Sequence, residues 1–335
     1  MNFTMAQDTA TALLLKGLSV LVAGPPGIGK TALAERIARQ QGWRLVISQP
    51  VTADPIDYKG LPFIVDGRAE FLPFGDLLDL TTTDVETLWT FDDLIQAPTA
   101  VQAALMQLVH PHCRELNQRK LSPKVHILGC TNRRQDRAGG NGFIQPLKER
   151  FVPLHLEVDA SAWIDWSLQQ AMCPWVAAYI RWRPQHLLSE QPSPDLTGSV
   201  NPRNWEWVAR LFEANLSPAA LRETIVAVLG PEVGQEFNEF LRIADSLPDL
   251  TEIDTCPEGI PVPTDPTILF AAIASLISLA DQLAPANLVR YVERLPEEYQ
   301  VLFSTFATAQ KSAFTSTPQF ANWMLRHQNT FGLRG

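Results

Sequence analysis

The feature that most constrains the fold of this chain is a glycine-rich segment between a short apolar run and a helical pattern. The segment consists of Gly24, Pro25, Pro26, Gly27, Ile28, Gly29, Lys30 and Thr31. Residues 18–23 (LSVLVA) have the length and β-branched content of a buried strand, and residues 31–41 have apolar side chains at helical spacing. A strand, a GxxxxGK[ST] loop and a helix in this order are typical of a phosphate-binding loop.

The residue types of the loop suit a nucleoside triphosphate. Glycines let backbone N–H groups approach phosphate oxygens that side chains would otherwise keep away. We expect Lys30 to reach the β- and γ-phosphates and Thr31 to ligate Mg²⁺. The helix that follows adds the favourable dipole of its N-terminus. The sequence therefore predicts a site for ATP and Mg²⁺.

Composition limits the classes of function. A chain of 335 residues is long enough for two domains with sizeable cores. The net charge of −9 argues against a large nucleic-acid surface, although it leaves room for a local basic strip. No segment has the pattern of a secretion signal or a membrane span, so we expect a cytoplasmic protein. The cysteines have no metal-ligand spacing and are predicted to be reduced thiols, namely Cys113, Cys130, Cys173 and Cys256.

The first half of the chain alternates apolar runs with helical patterns, which predicts an α/β fold with a parallel sheet. The predicted strands are residues 18–23, 44–48, 87–91, 125–130 and 151–156. Residues 61–74 contain Asp66-Gly67 between extended apolar residues, which predicts a hairpin. Residues 97–109 are predicted to form a helix, and the basic residues 114–124 form a possible second hairpin.

Beyond residue 158 the strand patterns stop and helical patterns continue. The predicted helices are residues 160–170, 175–183, 205–214, 218–229, 235–246, 266–282 and 297–311. Residues 189–201 and 247–265 are rich in proline and acidic residues and are predicted loops. We therefore expect a nucleotide-binding α/β domain over residues 1–158 and an all-α region over residues 159–335.

Polar residues follow two of the predicted strands. Asp92 and Asp93 end the run Thr87–Phe91, where a carboxylate can hold Mg²⁺ and a second can orient or deprotonate water. Asn132 follows the run 125–130 and places an amide where it can hold the attacking water. An acidic turn and an ordinary polar turn are the alternatives for these two positions.

Two arginines are further candidates. Arg150 directly precedes the fifth predicted strand. Arg203 follows Asn201 and Pro202, a pair that favours the start of a helix, with Asn as the cap and Pro in the first turn. A surface salt bridge is the alternative for either arginine.

The ordered segments GPPGIGKT, FDD, TNRRQDRAGG, LKERF and NPRNW, spread over residues 24–205, resemble the MoxR-like branch of the AAA+ ATPases. The segment DPIDYKGLPFIVDGRAEFLPF is similar to the hairpin inserted in the second helix of that branch. The resemblance covers roughly residues 12–211 and fades beyond. It implies a parallel five-stranded sheet of order 5-1-4-3-2, an all-α lid, and a ring, usually hexameric, with ATP at subunit interfaces.

The resemblance also implies roles for single residues. Asn132 corresponds to sensor 1, Arg150 to the finger that reaches a neighbour's γ-phosphate, and Arg203 to sensor 2. The usual Asp-Glu pair is here Asp92-Asp93, so the second carboxylate is one methylene shorter and slow turnover is expected. A displacement near 1 Å can cost on the order of a hundredfold in rate.

Three functions remain open at this point. The first is an ATPase that remodels a protein partner, which for MoxR-like proteins often carries a von Willebrand factor A domain. The second is a nucleic-acid motor or loader, in which the basic segment contacts phosphates through Arg114, Arg119, Lys120 and Lys124. The third is a scaffold whose assembly ATP controls without being hydrolysed. Activity with and without DNA and candidate partners separates the three.

Overall fold

The computed structural model describes residues 1–110, 112–117, 119–133, 142–189, 198–245 and 247–328. The chain forms two compact units, Met1–Val158 and Asp159–Gly335. In chain order the first unit contains α1 (Phe3–Leu15), β1 (Val20–Ala23), α2 (Lys30–Gln41), β2 (Arg44–Ser48), α3 (Pro55–Lys59), β3 (Leu61–Val65), β4 (Arg68–Leu72), α4 (Gly75–Thr82), β5 (Thr87–Phe91), α5 (Thr99–Leu108), β6 (Glu115–Leu116), β7 (Arg119–Lys120), β8 (Val125–Thr131), α6 (Gln145–Lys148) and β9 (Val152–His155).

The main sheet of the first unit has the strand order β2-β5-β8-β1-β9, and its described pairings are all parallel. When the five strands are numbered 1 to 5 in chain order, the sheet has the order 5-1-4-3-2, so the predicted α/β fold class with a parallel five-stranded sheet of this order is confirmed. The central strands are buried on both faces because helices cover a parallel sheet on each side, which explains their continuous apolar runs. The first and last strands of this sheet in chain order are shorter than predicted. Strand β1 begins at Val20, and β9 covers only Val152–His155.

The predicted hairpin over residues 61–74 is present as the antiparallel pair β3–β4. Its turn residues Asp66 and Gly67 have φ values of 50° and 74°, the type I′ geometry that this dipeptide favours. The second predicted hairpin is reduced to the short pair β6–β7. The predicted helix at 97–109 is α5, Thr99–Leu108.

The second unit is helical throughout its described elements. They are α7 (Ala160–Gln169), α8 (Pro174–Trp182), α9 (Pro202–Leu211), α10 (Pro218–Leu229), α11 (Pro231–Asp245), α12 (Pro266–Leu279), α13 (Pro285–Val292), α14 (Glu297–Ala309) and α15 (Pro318–Arg326). The core at α8 is aromatic, since the ring centroid of Tyr179 lies 5.0 Å from that of Phe237 and 5.5 Å from that of Phe240. Such edge-on ring contacts add to the stabilisation that burial gives.

Several helices of the second unit differ from the predicted ranges. Helix α9 begins at Pro202, so the predicted helix start with Asn201 as the cap and Pro202 in the first turn is confirmed, and the helical range predicted as 205–214 begins three residues too late. The Asn201 side chain accepts a hydrogen bond from the backbone N–H of Asn204. Helices α13 and α15 were not predicted. A short 3₁₀ segment, Leu250–Asp254, lies inside the predicted loop 247–265. Of the predicted loop 189–201, residues 190–197 lie outside the described residues. Over the described part of the chain, we find no helix with the length and apolarity needed to cross a bilayer.

Candidate nucleotide-binding site

The predicted phosphate loop joins the end of β1 to the start of α2. Gly27 and Gly29 have φ values of 75° and 93°, a left-handed backbone that glycine adopts without strain. At Gly24 a Cβ atom would lie 2.8 Å from the carbonyl oxygen of Leu156, closer than two such atoms can approach. Glycine at these positions is therefore required by the course of the loop itself.

The side chain of Lys30 is held inside this loop. Its ammonium donates to the carbonyl oxygens of Gly24 and Pro25 at 3.0 and 2.8 Å and to Oδ1 of Asn132 at 2.7 Å. Only 7% of Lys30 is exposed. A buried ammonium needs such acceptors because desolvation penalises its charge. The positive charge is thus fixed at the N-terminus of α2, where a phosphate would lie.

Thr31 and Asp92 are brought together beside the loop. The Thr31 hydroxyl donates to Oδ2 of Asp92 at 3.1 Å, across the gap between α2 and the end of β5. A hydroxyl and a carboxylate are oxygen donors of the hard type that Mg²⁺ prefers, so the pair fits this ion. Thr31 and Asp92 are the residues that would hold it, and when bound it would neutralise charge on the phosphates.

Asp93 has a backbone conformation unusual for a residue with a side chain. Its φ and ψ are 50° and 37°, and it precedes the 3₁₀ turn Leu94–Gln96. Its backbone N–H donates to Oδ1 of Asp92 at 3.2 Å, and its own carboxylate accepts from Nδ2 of Asn132 at 3.4 Å. Aspartate is one of the few residues that tolerates this left-handed conformation, because its short side chain bonds locally.

Asn132 connects the lysine to the second carboxylate. An ammonium can only donate and a carboxylate can only accept, so the amide oxygen must face Lys30 and the amide nitrogen must face Asp93. The residue is 8% exposed and lies one position beyond β8. The amide of Asn132 therefore lies between the half-buried Asp93 carboxylate and the Lys30 ammonium.

The thiol of Cys130 lines the wall behind these groups. It is fully buried in β8, two positions before Asn132. Burial raises the pKa of the Cys130 thiol, and the nearby carboxylate of Asp92 raises it further. The thiol is therefore neutral at physiological pH and contributes packing rather than charge.

Arg150 lies on the turn between α6 and β9. Its Nη1 donates to the carbonyl oxygen of Pro146, while its buried Nε has no hydrogen-bond partner. Among the described residues no carboxylate lies within ion-pair distance of this guanidinium. An ordinary salt bridge with a described residue is thus absent, and part of the hydrogen-bonding capacity of Arg150 is unused.

Arg203 lies in the second unit, in the first turn of α9. Its side chain is exposed, and it forms no hydrogen bond or ion pair with the described residues. The role of Arg203 at the nucleotide stays a prediction. Residues 134–140 of the segment TNRRQDRAGG lie outside the described residues.

The sequence did not predict two contacts that Phe3 of α1 makes with the loop and with α2. A Cβ atom at Gly29 would lie 3.5 Å from Cε2 of Phe3, so the first residue of α1 packs against the loop. The guanidinium of Arg36 lies 5.7 Å from the centre of the same ring. Neither contact has a local sequence signal, because α1 and α2 meet only in the folded unit.

Comparison with known proteins gives no family assignment. No family model matches the chain, and no curated protein matches it. Among solved structures, the chain is similar to the RuvB Holliday junction branch migration motor of Thermotoga maritima at 15% identity, with 97% of this chain and 86% of that chain covered and a TM-score of 0.39. It is similar to the replication initiator DnaA bound to AMPPCP and single-stranded DNA at 13% identity, with 99% and 92% covered and a TM-score of 0.39.

A third similar structure is NtrX from Brucella abortus in complex with ATP, at 14% identity, with 99% of this chain and 69% of that chain covered and a TM-score of 0.42. At such low similarity none of the three identifies the family, activity or partners of this chain. The strand order and the geometry of the loop therefore carry the description of the site.

Proposed function

We propose that this chain is a magnesium-dependent AAA+ ATPase that hydrolyses ATP at the site formed by Lys30, Thr31, Asp92, Asp93 and Asn132. The observation that supports this best is the unbroken series of contacts from the Lys30 ammonium through the Asn132 amide to the Asp93 carboxylate. It combines a fixed positive charge for phosphate with a carboxylate for water within one pocket. Positioning and electrostatic stabilisation of this kind supply most of the catalysis in phosphoryl transfer.

We further propose that the active form is a MoxR-like ring, in which Arg150 serves the ATP site of a neighbouring subunit. This is supported by the lack of a carboxylate partner for Arg150 among the described residues, because a guanidinium that is not engaged in an ion pair is available for a phosphate. Arg203 is proposed to act as sensor 2. A heterologous contact that closes on itself makes a ring of this type.

We propose that the partner of this ATPase is a protein. The exposed apolar face of the hairpin β3–β4 supports this. On β3–β4, Pro62 lies opposite Phe71 and Ile64 lies opposite Ala69, so these four apolar side chains share one face. Ile64 is 81% exposed and Phe71 is 40% exposed. An exposed apolar ribbon suits a polypeptide, including the proposed von Willebrand factor A domain, better than a phosphate backbone.

The contacts of the basic segment count against a nucleic-acid motor. Arg114 donates to the carbonyl oxygens of Val125 and Gly17 at 2.7 and 2.6 Å, which fixes its guanidinium within the unit. Arg119 lies 3.8 Å from a carboxylate oxygen of Glu70, and Lys120 lies 3.7 Å from one of Glu115. Charges engaged in this way are less available to phosphates, and of these four side chains only that of Lys124 has neither a hydrogen bond nor an ion pair with a described residue.

The test is the rate of phosphate release with and without each class of partner. A protein carrying a von Willebrand factor A domain should stimulate turnover, and single- or double-stranded DNA at low salt should not. Replacing Ile64 and Phe71 by serine should remove the stimulation and leave the basal rate unchanged. Val85→Ser is a matched control, because Val85 is 51% exposed on a different part of the unit. Stimulation by DNA alone would contradict the proposed partner class.

A further inference from the structure

The side chain of Gln102 is a buried polar group that the proposed mechanism does not use. It lies on α5, is completely buried, and satisfies its whole amide with backbone groups. Its Nε2 donates to the carbonyl oxygens of Ala97 and Gly142, both at 3.0 Å, and its Oε1 accepts from the backbone N–H of Ile144 at 3.0 Å. The amide therefore joins two segments separated by more than forty positions of sequence.

The first of these segments follows the catalytic carboxylates. Asp93 precedes the 3₁₀ turn Leu94–Gln96, and the backbone N–H of Ala97 donates to the carbonyl oxygen of Leu94 at 3.3 Å. The carbonyl oxygen of Ala97 then accepts from Gln102. Two consecutive hydrogen bonds thus lead from the turn after Asp93 to the amide of Gln102.

The second segment leads directly to Arg150. Ile144 caps α6, the turn of helix Gln145–Lys148, and Arg150 lies two positions beyond that helix with its Nη1 on the carbonyl oxygen of Pro146. Leu147 of α6 is fully buried in the core cluster with Val101 and Leu105 of α5. Burial of Leu147 holds α6 against α5, but an apolar contact alone leaves sliding along the helix possible. The two hydrogen bonds of Gln102 to Gly142 and Ile144 fix the register.

We propose that Gln102 is a positioning residue that fixes Arg150 relative to the Asp93 turn, so that each subunit's own ATP site sets the geometry of the finger that it offers to its neighbour. This inference rests on the proposed function. A buried amide with all donors and acceptors satisfied is costly to disturb, since each group left without a partner loses its solvation as well. The Gln102 amide therefore couples the position of α6 and Arg150 to that of the Asp93 turn.

The test separates the two sides of the shared site. Arg150→Ala subunits supply an intact phosphate loop, and Lys30→Ala subunits supply an intact arginine. Gln102→Met, which keeps the side-chain length but removes the amide, is placed in one partner at a time. In the Lys30→Ala partner it should lower the recovered ATPase rate by about tenfold, since small displacements of a catalytic group are expensive. In the Arg150→Ala partner it should change the rate by less than about twofold.

Gln300→Met is the matched control in the Lys30→Ala partner. Gln300 is also buried, and its Nε2 also bridges two carbonyl oxygens, those of Glu293 and Leu295 at 3.2 and 2.8 Å, but it lies in the second unit. It should leave the recovered rate unchanged. Equal losses from Gln102→Met in either partner, or a larger loss in the Arg150→Ala partner, would overturn the assignment.

Hydrogen exchange gives an answer that does not depend on turnover. In Gln102→Met the backbone amides of residues 142–150 should exchange about tenfold faster, the effect of losing roughly one hydrogen bond, while those of residues 24–31 stay as in wild type. Unchanged exchange at residues 142–150 in this variant would overturn the positioning role of Gln102, whether or not the protein hydrolyses ATP. If wild type releases no phosphate but Gln102→Met shows this exchange pattern relative to wild type, only the proposed function is contradicted.

Discussion

The amide oxygen of Asn132 lies 2.7 Å from the ammonium of Lys30, a contact that joins residues 102 positions apart. The contact exists because β1 and β8 are adjacent parallel strands, with Val22 opposite Cys130. The residues that follow the two strands therefore meet at the same edge of the sheet. The Lys30 ammonium is thus fixed beside the loop. A bound phosphate would replace the carbonyl oxygens and the amide oxygen as its hydrogen-bond acceptor.

Replacing Lys30 by alanine should lower the affinity for ATP–Mg²⁺ by about a hundredfold or more, because charge-assisted hydrogen bonds to phosphate are lost. Isothermal titration calorimetry measures this directly. Lys16→Ala is the control, since Lys16 is exposed at the end of α1. Retained affinity in the Lys30 variant would show that the nucleotide site lies elsewhere.

Arg150 is predicted to act on the ATP of a neighbouring subunit. Arg150→Ala should bind ATP normally but turn it over about 10³-fold more slowly, as loss of an arginine finger does. Mixing it with Lys30→Ala should restore part of the rate, because an intact loop then meets a neighbour's intact arginine. Phosphate release is measured after co-assembly has been verified by light scattering. A mixture no faster than either variant alone would leave Arg150 with no role in trans.

Asp93→Glu is predicted to have opposite effects on rate and stability. The longer side chain restores the reach of the glutamate in the Asp-Glu pair of MoxR-like proteins, so turnover should rise. Glutamate tolerates the left-handed backbone of position 93 less well, which should cost about 1 kcal/mol. Urea unfolding of this variant should therefore have a lower midpoint, and Asp93→Asn should not. A midpoint equal to that of wild type would mean that the turn does not require its present conformation.

The four cysteines should differ in their reaction with an alkylating reagent. Cys113 and Cys256 are exposed and should be modified rapidly in the folded protein. Cys130 is fully buried and should react only after unfolding. Cys173 is half-buried and burial raises the pKa of its thiol to about 12, so it should react more slowly than the two exposed cysteines. Mass spectrometry of the alkylated peptides measures the four sites separately. Rapid modification of Cys130 would contradict the closed wall behind Asn132.

Much of the first unit could be predicted because its signals are local. The phosphate loop has a fixed spacing, and buried parallel strands give continuous apolar runs such as Thr87–Phe91. The strand order did not come from these patterns but from the resemblance to AAA+ ATPases. Once the order is known, Thr31, Asp92 and Asn132 must lie at one edge of the sheet, since parallel strands end on the same side.

The rest depends on tertiary contacts that leave little local trace. Helix α13 has only eight residues and is stabilised by burial of Leu288, Tyr291 and Val292, so its pattern is too short to be distinctive. The left-handed backbone of Asp93 has no sequence signal either, because aspartate follows many strands. Gln102 is a polar residue within an apolar helix, and only the fold shows which backbone groups it joins.

The most direct test of the proposed activity is the rate of phosphate release at saturating ATP–Mg²⁺, measured for wild type and for Asp93→Asn. We expect measurable release from wild type and a rate lower by about a hundredfold or more in the variant, because general-base catalysis contributes at least this factor. The affinity for ATP should be similar in both proteins, because asparagine keeps the size of the side chain and the proposed role of Asp93 is to activate water rather than to bind phosphate. Equal rates in the two proteins, or no release from wild type with any partner, would contradict ATP hydrolysis at this site.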